Sequence, residues 1–287
     1  MPHTRRTAQA RHQRLLERFG GTHALITGGS AGIGRAVAQH LTGLGAGVTL
    51  VARDPDRLDQ TARGLRHAAP GVDVRTVALD VSDDAAVAEQ LPAELETRPA
   101  DLVVNSAGVA HAGRLLDTEP AEFRRLVEIN YLGTVWTTRA AVPYLRGRPR
   151  AHVANIASMA AFEGVYGYAA YAPSKFAVLG YSQVLRSELR PSGIGVSVLM
   201  APNTDTEQLA AELEQLPDEM RPLHATSRVL SPERVAESLL AGIASGRFEI
   251  IPGLNNRAVE RLHRVSHRPL RSGFDLMVRR ELRRKRS

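Results

Sequence analysis

From residue 22 the chain alternates short apolar runs with stretches of helical period. Thr22–Thr27, Val48–Ala52, Val74–Leu79, Asp101–Asn105, His152–Ala157, Ile194–Met200 and Arg247–Ile251 read as strands. Between them, Gly32–Leu44, Pro55–His67, Asp83–Glu96, a long stretch from Glu119 to Leu145, Ala172–Arg190 and Ser231–Ser245 read as helices. The strands are apolar at successive positions instead of alternate ones, so both of their faces are predicted to be covered. Strand and helix in alternation then predict an α/β fold with a parallel sheet between two helical layers. Right-handed crossovers make that sheet doubly wound. No internal repeat or low-complexity linker divides it, so one domain is expected.

The two ends differ from this body. The 287-residue chain has a net charge of +7, but residues 1–20 carry +4 and residues 257–287 carry +8, which leaves residues 21–256 at −5. Three parts are therefore expected: a basic extension over 1–20, the α/β domain over 21–256 and a basic amphipathic tail over 257–287. A mildly acidic body argues against nucleic-acid binding. The tail mixes Val259, Leu262, Val265, Leu270, Phe274 and Leu282 with its arginines. It reads as solvated, as packed on the protein, or as a peripheral membrane contact. Cysteine is absent, no apolar run is long enough to span a bilayer, and residues 1–20 lack the apolar core of a secretory signal. The expected location is cytoplasmic, with peripheral contact at the inner membrane surface if the tail binds lipid.

Chemistry is concentrated in two places. Thr27-Gly-Gly-Ser-Ala-Gly-Ile-Gly34 joins the first strand to the first helix of the body. Glycines there let backbone approach a phosphate, and the helix N-terminus favours its charge. Gly28, Ser30, Gly32, Ile33, Gly34 and Arg35 are the cofactor-loop candidates, although the Gly-x3-Gly-x-Gly spacing differs from the general dinucleotide fingerprint. The second strand ends in Ala52-Arg53-Asp54-Pro55. Asp54 has two readings, as a carboxylate for a ribose 2′-hydroxyl or as the N-cap of a helix opened by Pro55. If it caps, Arg53 is free for a 2′-phosphate, which favours NADPH over NADH.

The second place holds Tyr171 and Lys175, four residues apart on one helix face, and Ser158, thirteen residues before Tyr171. A phenol near ~10 is a poor acid–base group at neutral pH, and an adjacent ammonium is expected to lower it. Tyr171 would then exchange a proton with a carbonyl or alcohol oxygen, and Ser158 would hydrogen-bond the same oxygen. Lys175 is one of only two lysines in an arginine-rich chain, and Arg cannot replace a compact, flexible point charge.

These segments, together with Asp80-Val81, Asn105-Ser-Ala-Gly108, Asn130 and Pro202, occur in the order found in short-chain dehydrogenases/reductases, which the chain resembles over about residues 22–251. That resemblance implies a Rossmann-type domain. It places Asp80 and Val81 by the adenine and Asn105, Ala107 and Gly108 under the cofactor. It also makes Asn130 part of a proton-relay water chain, lets Lys175 bind the nicotinamide ribose, and implies a homodimer or homotetramer. Two departures are Asn105-Ser106 in place of Asn-Asn and Pro202-Asn203 in place of Pro-Gly. The stretch Ala201-Pro-Asn-Thr-Asp-Thr206, with Asn130-Tyr-Leu-Gly133 and Val51-Ala-Arg53, is similar to 3-ketodihydrosphingosine reductases. It adds Pro202, Thr204 and Thr206 to the cofactor candidates.

A hydrophobic or lipid-like 3-keto substrate reduced with NADPH is the reading this supports. An NAD-linked alcohol dehydrogenase running oxidatively, and a non-catalytic dinucleotide sensor or scaffold, are the alternatives. Leu209, Leu213, Leu216 and Met220 recur near helical spacing where the family places a mobile lid. They read equally as a lipophilic wall and as a helix packed on the sheet. Phe162, Tyr166 and Tyr168 are further wall candidates. His111 reads as a loop residue or a substrate contact, and Trp136 as core or interface packing. The ten histidines show no metal-ligand spacing, and no metal is expected.

Overall fold

The computed structural model describes residues 2–221, 228–253 and 256, so the tail read over 257–287 lies outside the described residues. Seven strands form one sheet: β1 His23–Thr27, β2 Gly47–Ala52, β3 Val74–Ala78, β4 Leu102–Asn105, β5 His152–Ser158, β6 Gly195–Ala201 and β7 Glu249–Ile250. Their order is β3-β2-β1-β4-β5-β6-β7, with every pairing parallel. The helices are α1 Pro2–Phe19, α2 Gly32–Gly43, α3 Pro55–Ala68, α4 Asp84–Thr97, α5 Pro120–Leu126, α6 Gly133–Leu145, α7 Tyr171–Leu189, α8 Glu207–Glu214 and α9 Pro232–Ala244.

The double covering expected from the apolar runs is met residue by residue. Along β1, Ala24 and Ile26 point into a core shared with Val37 and Leu41 of α2, Leu58 of α3 and Leu239 of α9. Leu25, between them, points into the opposite core with Leu91 of α4, Leu145 of α6 and Leu185 of α7. Burying each such leucine contributes roughly 1.5–3 kcal/mol. Side chains set the helix starts. Asp54, Asp83 and Ser231 accept hydrogen bonds from the backbone N–H groups of Arg57, Ala86 and Arg234.

Two elements depart from the reading of the chain. Residues 2–19 are helical, and the end of α1 is anchored: Phe19 is fully buried, Arg18 donates to the Arg150 carbonyl at 2.9 Å, and Arg11 pairs with Glu237 of α9 at 2.8 Å. The long helix after Glu119 is interrupted by a π-helical turn, Val127–Leu132, between α5 and α6. Such wide turns concentrate at functional sites, and this one carries Asn130.

Strand order reverses between β1 and β4, where Thr27 stands beside Val51 on one side and Asn105 on the other. Chains leaving adjacent strands in opposite directions open a crevice at their carboxyl ends. A cleft of about 1110 Å3 occupies that position.

Candidate active site

The floor of the cleft is the glycine turn. Gly28 has φ of 65°, a conformation that favours glycine, and a Cβ there would lie 2.8 Å from the Ser106 carbonyl oxygen. At Gly34 a Cβ would come within 2.3 Å of the Gly28 carbonyl oxygen, so α2 can close on β1 only through glycine. Ala31 precedes α2 in extended conformation and no side chain caps the helix. The first amides of α2 are therefore left for a ligand, and with the aligned dipole they suit a pyrophosphate. These features fit a dinucleotide. Gly28, Ser30, Gly32, Ile33 and Arg35 line the cleft, and Gly34 acts from beneath it.

At the far end, Asp54 is the N-cap of α3 through Oδ1 and also lines the cleft. Arg53 is largely exposed and lies 3.7 Å from Asp80. Burial alone would raise the Asp80 carboxyl, but hydrogen bonds from Ser82 and the charge of Arg53 outweigh it and hold the group below its usual range. Asp80, Val81, Ala107, Gly108, Pro202, Thr204 and Thr206 all line the cleft.

Asn105 does not line it and is buried next to Ser106. Its side chain is buried and donates to Thr138 at 2.9 Å and to Asn155 at 2.8 Å, because β4 turns that position into the sheet's interior. Ser106 lines the cleft in its place. Asn155 passes the connection on by donating to Ser182 of α7 at 2.9 Å. The buried amide network thus fixes the roll of α7, and with it the direction of Tyr171 and Lys175.

Ser158, Tyr171 and Lys175 converge on the wall of the cleft. Lys175 is buried and its Nζ donates to the Ile156 carbonyl at 3.1 Å, 5.9 Å from the Tyr171 ring centroid. Desolvation lowers the Lys175 ammonium to about 8. The expected acidification of Tyr171 is not found in this environment. Burial and the nearby Glu212 carboxylate push the phenol well above its ordinary value, and a hydrogen bond with Ser158 opposes them only in part. Asn130 lies beneath the cleft, with its side chain held by Val109 and Ser174. Its Oδ1 accepts from Val109 N at 2.8 Å, and its Nδ2 donates to Ser174 Oγ at 2.9 Å. Ser174 Oγ in turn donates to the Tyr171 carbonyl at 2.7 Å, so Asn130 positions the start of α7.

The residues after β6 split the two readings of their apolar stretch. Leu209 lines the cleft, whereas Leu216 and Met220 are buried against Ala112, Tyr168 and Ala172. Phe162 and Tyr168 line the cleft, and Tyr166 does not. His111 stands outside it, 3.7 Å from Glu122, and Trp136 packs on the α4–α6 core. Several charged residues that the spacing of the chain did not signal also line the cleft, Glu207 and Glu212 among them. Glu207 of α8 pairs with Arg57 of α3 at 2.8 Å, and Glu212 accepts a hydrogen bond from Tyr168 at 2.5 Å. Neither belongs to a local motif, since each is brought in by the fold of a segment distant in sequence.

A cleft of this build, with an anion cradle and a positioned proton donor, defines a nicotinamide-dependent oxidoreductase. The chain belongs to the short-chain dehydrogenase/reductase family: residues 22–217 match short chain dehydrogenase. It is similar to 3-ketodihydrosphingosine reductase of Bos taurus, 36% identical over 232 residues covering 79% of this chain and 70% of that one. It is also similar to 3-dehydrosphinganine reductase of Danio rerio, 34% identical over 235 residues, 80% of this chain and 71% of the other. Among solved structures, a short-chain dehydrogenase/reductase from Burkholderia phymatum in complex with NAD is 28% identical with a TM-score of 0.76, covering 89% of this chain and 96% of that one. A short-chain dehydrogenase from Sphingobium yanoikuyae in complex with NADPH is 28% identical with a TM-score of 0.74, covering 88% and 95%.

Proposed function

We infer that the protein reduces a hydrophobic, lipid-like ketone to a secondary alcohol with NADPH. The observation that carries this reading is the convergence of Ser158, Tyr171 and Lys175 on the wall of the cleft, beside its apolar lining. Ser158 would donate to the substrate carbonyl oxygen while Tyr171 passes it a proton. Lys175, whose value near 8 leaves it mostly charged at neutral pH, sits beneath the phenol and offsets the phenolate that forms. When bound, the nicotinamide supplies the hydride. Leu209, Phe162, Val165 and Met159 give the substrate end an apolar lining, which suits a lipid-like chain. The similarity to 3-ketodihydrosphingosine reductases supports the same substrate class.

Tyr171→Phe is expected to lower kcat by roughly 10²–10⁴ while NADPH still binds, read by quenching of protein fluorescence. Unchanged turnover would remove Tyr171 as the acid. For cofactor choice, Arg53 is exposed at the end of β2 and Asp54 caps α3 through Oδ1. Arg53→Ala should raise KM for NADPH about tenfold more than for NADH, since a charge-assisted contact to phosphate is lost. Faster turnover of the native enzyme with NADH at equal subsaturating concentration would overturn the NADPH assignment.

A further inference from the structure

Arg35, Arg53 and Arg57 bring three guanidinium groups to the lining of the cleft. Arg35 follows the glycine turn and Arg53 follows β2, whereas Arg57 belongs to α3. Its backbone N–H donates to the Asp54 cap, and its Nη2 donates to Glu207, the first residue of α8, at 2.8 Å. The residue before Glu207, Thr206, caps α8 by accepting from the Leu209 N–H at 3.2 Å. Thr206 also stands against the glycine turn, since a Cβ at Gly32 would lie 3.3 Å from its Cγ2. From there α8 carries Leu209 and Glu212 along the cleft, and Glu212 meets Tyr168. The start of α8 thus touches the phosphate turn on one side and is tied to Arg57 on the other.

The carboxylates around these arginines are held with unequal firmness. Asp54 Oδ1 accepts from the Arg57 N–H, and Asp80 Oδ1 accepts from both the backbone N–H and the hydroxyl of Ser82. Glu207 is mostly exposed, and among the described residues Arg57 is its partner. Water screens such an exposed pair and leaves it weak. A phosphate offers the guanidinium fork more charge and more acceptor oxygens than a carboxylate does. A phosphate placed beside Arg53 would also repel Glu207 as a like charge. Glu207 is therefore the acid most easily displaced, and Arg57 the arginine that its departure frees.

We propose that Arg57 is a specificity-determining residue for the cofactor: it exchanges Glu207 for the 2′-phosphate, so the phosphate that selects the cofactor also unties α8 from α3. This rests on the NADPH reading and goes beyond it. Glu207 and the 2′-phosphate compete for one guanidinium. Occupation of the nucleotide end then reaches the wall that bears Leu209 and Glu212 through the first turn of α8.

The test needs no turnover. Adenosine 2′,5′-bisphosphate and adenosine 5′-monophosphate, which differ only in the 2′-phosphate, are titrated into the full-length protein by calorimetry. The native protein is expected to hold the bisphosphate at least about tenfold more tightly, the scale of hydrogen bonds to a charged group. Arg57→Ala should lower that ratio by roughly tenfold. Glu207→Gln should raise it about two- to fivefold, because the competing exposed pair is gone. Hydrogen exchange reads the second half of the proposal. Amides of Glu207–Glu214 should exchange about two- to fivefold faster with the bisphosphate bound than with the monophosphate, and Arg57→Ala should erase the difference. Equal weakening of both nucleotides by Arg57→Ala, a ratio unmoved by Glu207→Gln, or equal exchange in the native protein would overturn the proposal. If the native protein held both nucleotides alike, the NADPH reading itself would fall. A bisphosphate preference that survives Arg57→Ala intact would sink only the role of Arg57.

Discussion

Two buried histidines illustrate how single side chains tie this protein to pH. His152 donates from Nε2 to Ser197 Oγ at 2.9 Å, the orientation required because Ser197 donates its own proton to the Arg247 carbonyl. His23 donates from Nε2 to Thr49 and accepts at Nδ1 from Arg98 at 3.1 Å, which only a neutral ring can do. Desolvation lowers His23 to about 4 and His152 to about 3. Below pH 6.5 the unfolded chain binds protons that the folded protein refuses, so stability must fall as pH drops. The loss approaches about 2 kcal/mol per histidine between neutrality and pH 5. His152→Gln keeps a donor to Ser197 and does not titrate. Calorimetry of Tm from pH 7 to pH 5 should show a shallower decline in that variant. An identical slope would mean that His152 takes up its proton as readily in the folded protein as in the unfolded chain.

The secondary-structure elements show what a chain discloses about itself and what it withholds. Strands such as Val48–Ala52 are legible because two covered faces demand unbroken apolar runs, and α3 because Asp54-Pro55 is both cap and first turn. The glycine turn and the Tyr171–Lys175 pair are legible because their geometry depends on residues a few positions apart. Helix α1 was not legible: residues 2–19 are mostly polar, and the helix is held by contacts with partners far along the chain. The side-chain partners of Asn105 were not legible for a related reason, since a resemblance names a position but not the neighbours that claim its side chain. Glu212 gave no signal at all. If α1 is a structural part of the domain, Phe19→Ala should cost roughly 3–5 kcal/mol in urea unfolding. A loss under about 1 kcal/mol would make α1 a loosely attached extension.

Taken whole, the molecule leaves an apolar strip on the outer side of α7. Phe176 and Val184 are exposed at 41% and 55%, and Gly180 between them has open space where a Cβ would stand. Positions four apart share one helix face, and a small residue at the centre lets another helix approach closely. We expect a homodimer or homotetramer formed through this face. Light scattering on the native protein and on Phe176→Glu/Val184→Glu should show the double variant shifted to monomer. A monomeric native protein would end this assignment. None of the helices among the described residues is long and apolar enough to cross a membrane.

The salt bridge from Arg57 to Glu207 joins α3 to α8 along the cleft with one solvent-exposed link. Such a link is worth only about 0–1 kcal/mol and weakens as ionic strength rises. Ordinary thermal agitation is enough to part it, and a rise in salt would loosen the tie between α3 and α8 further.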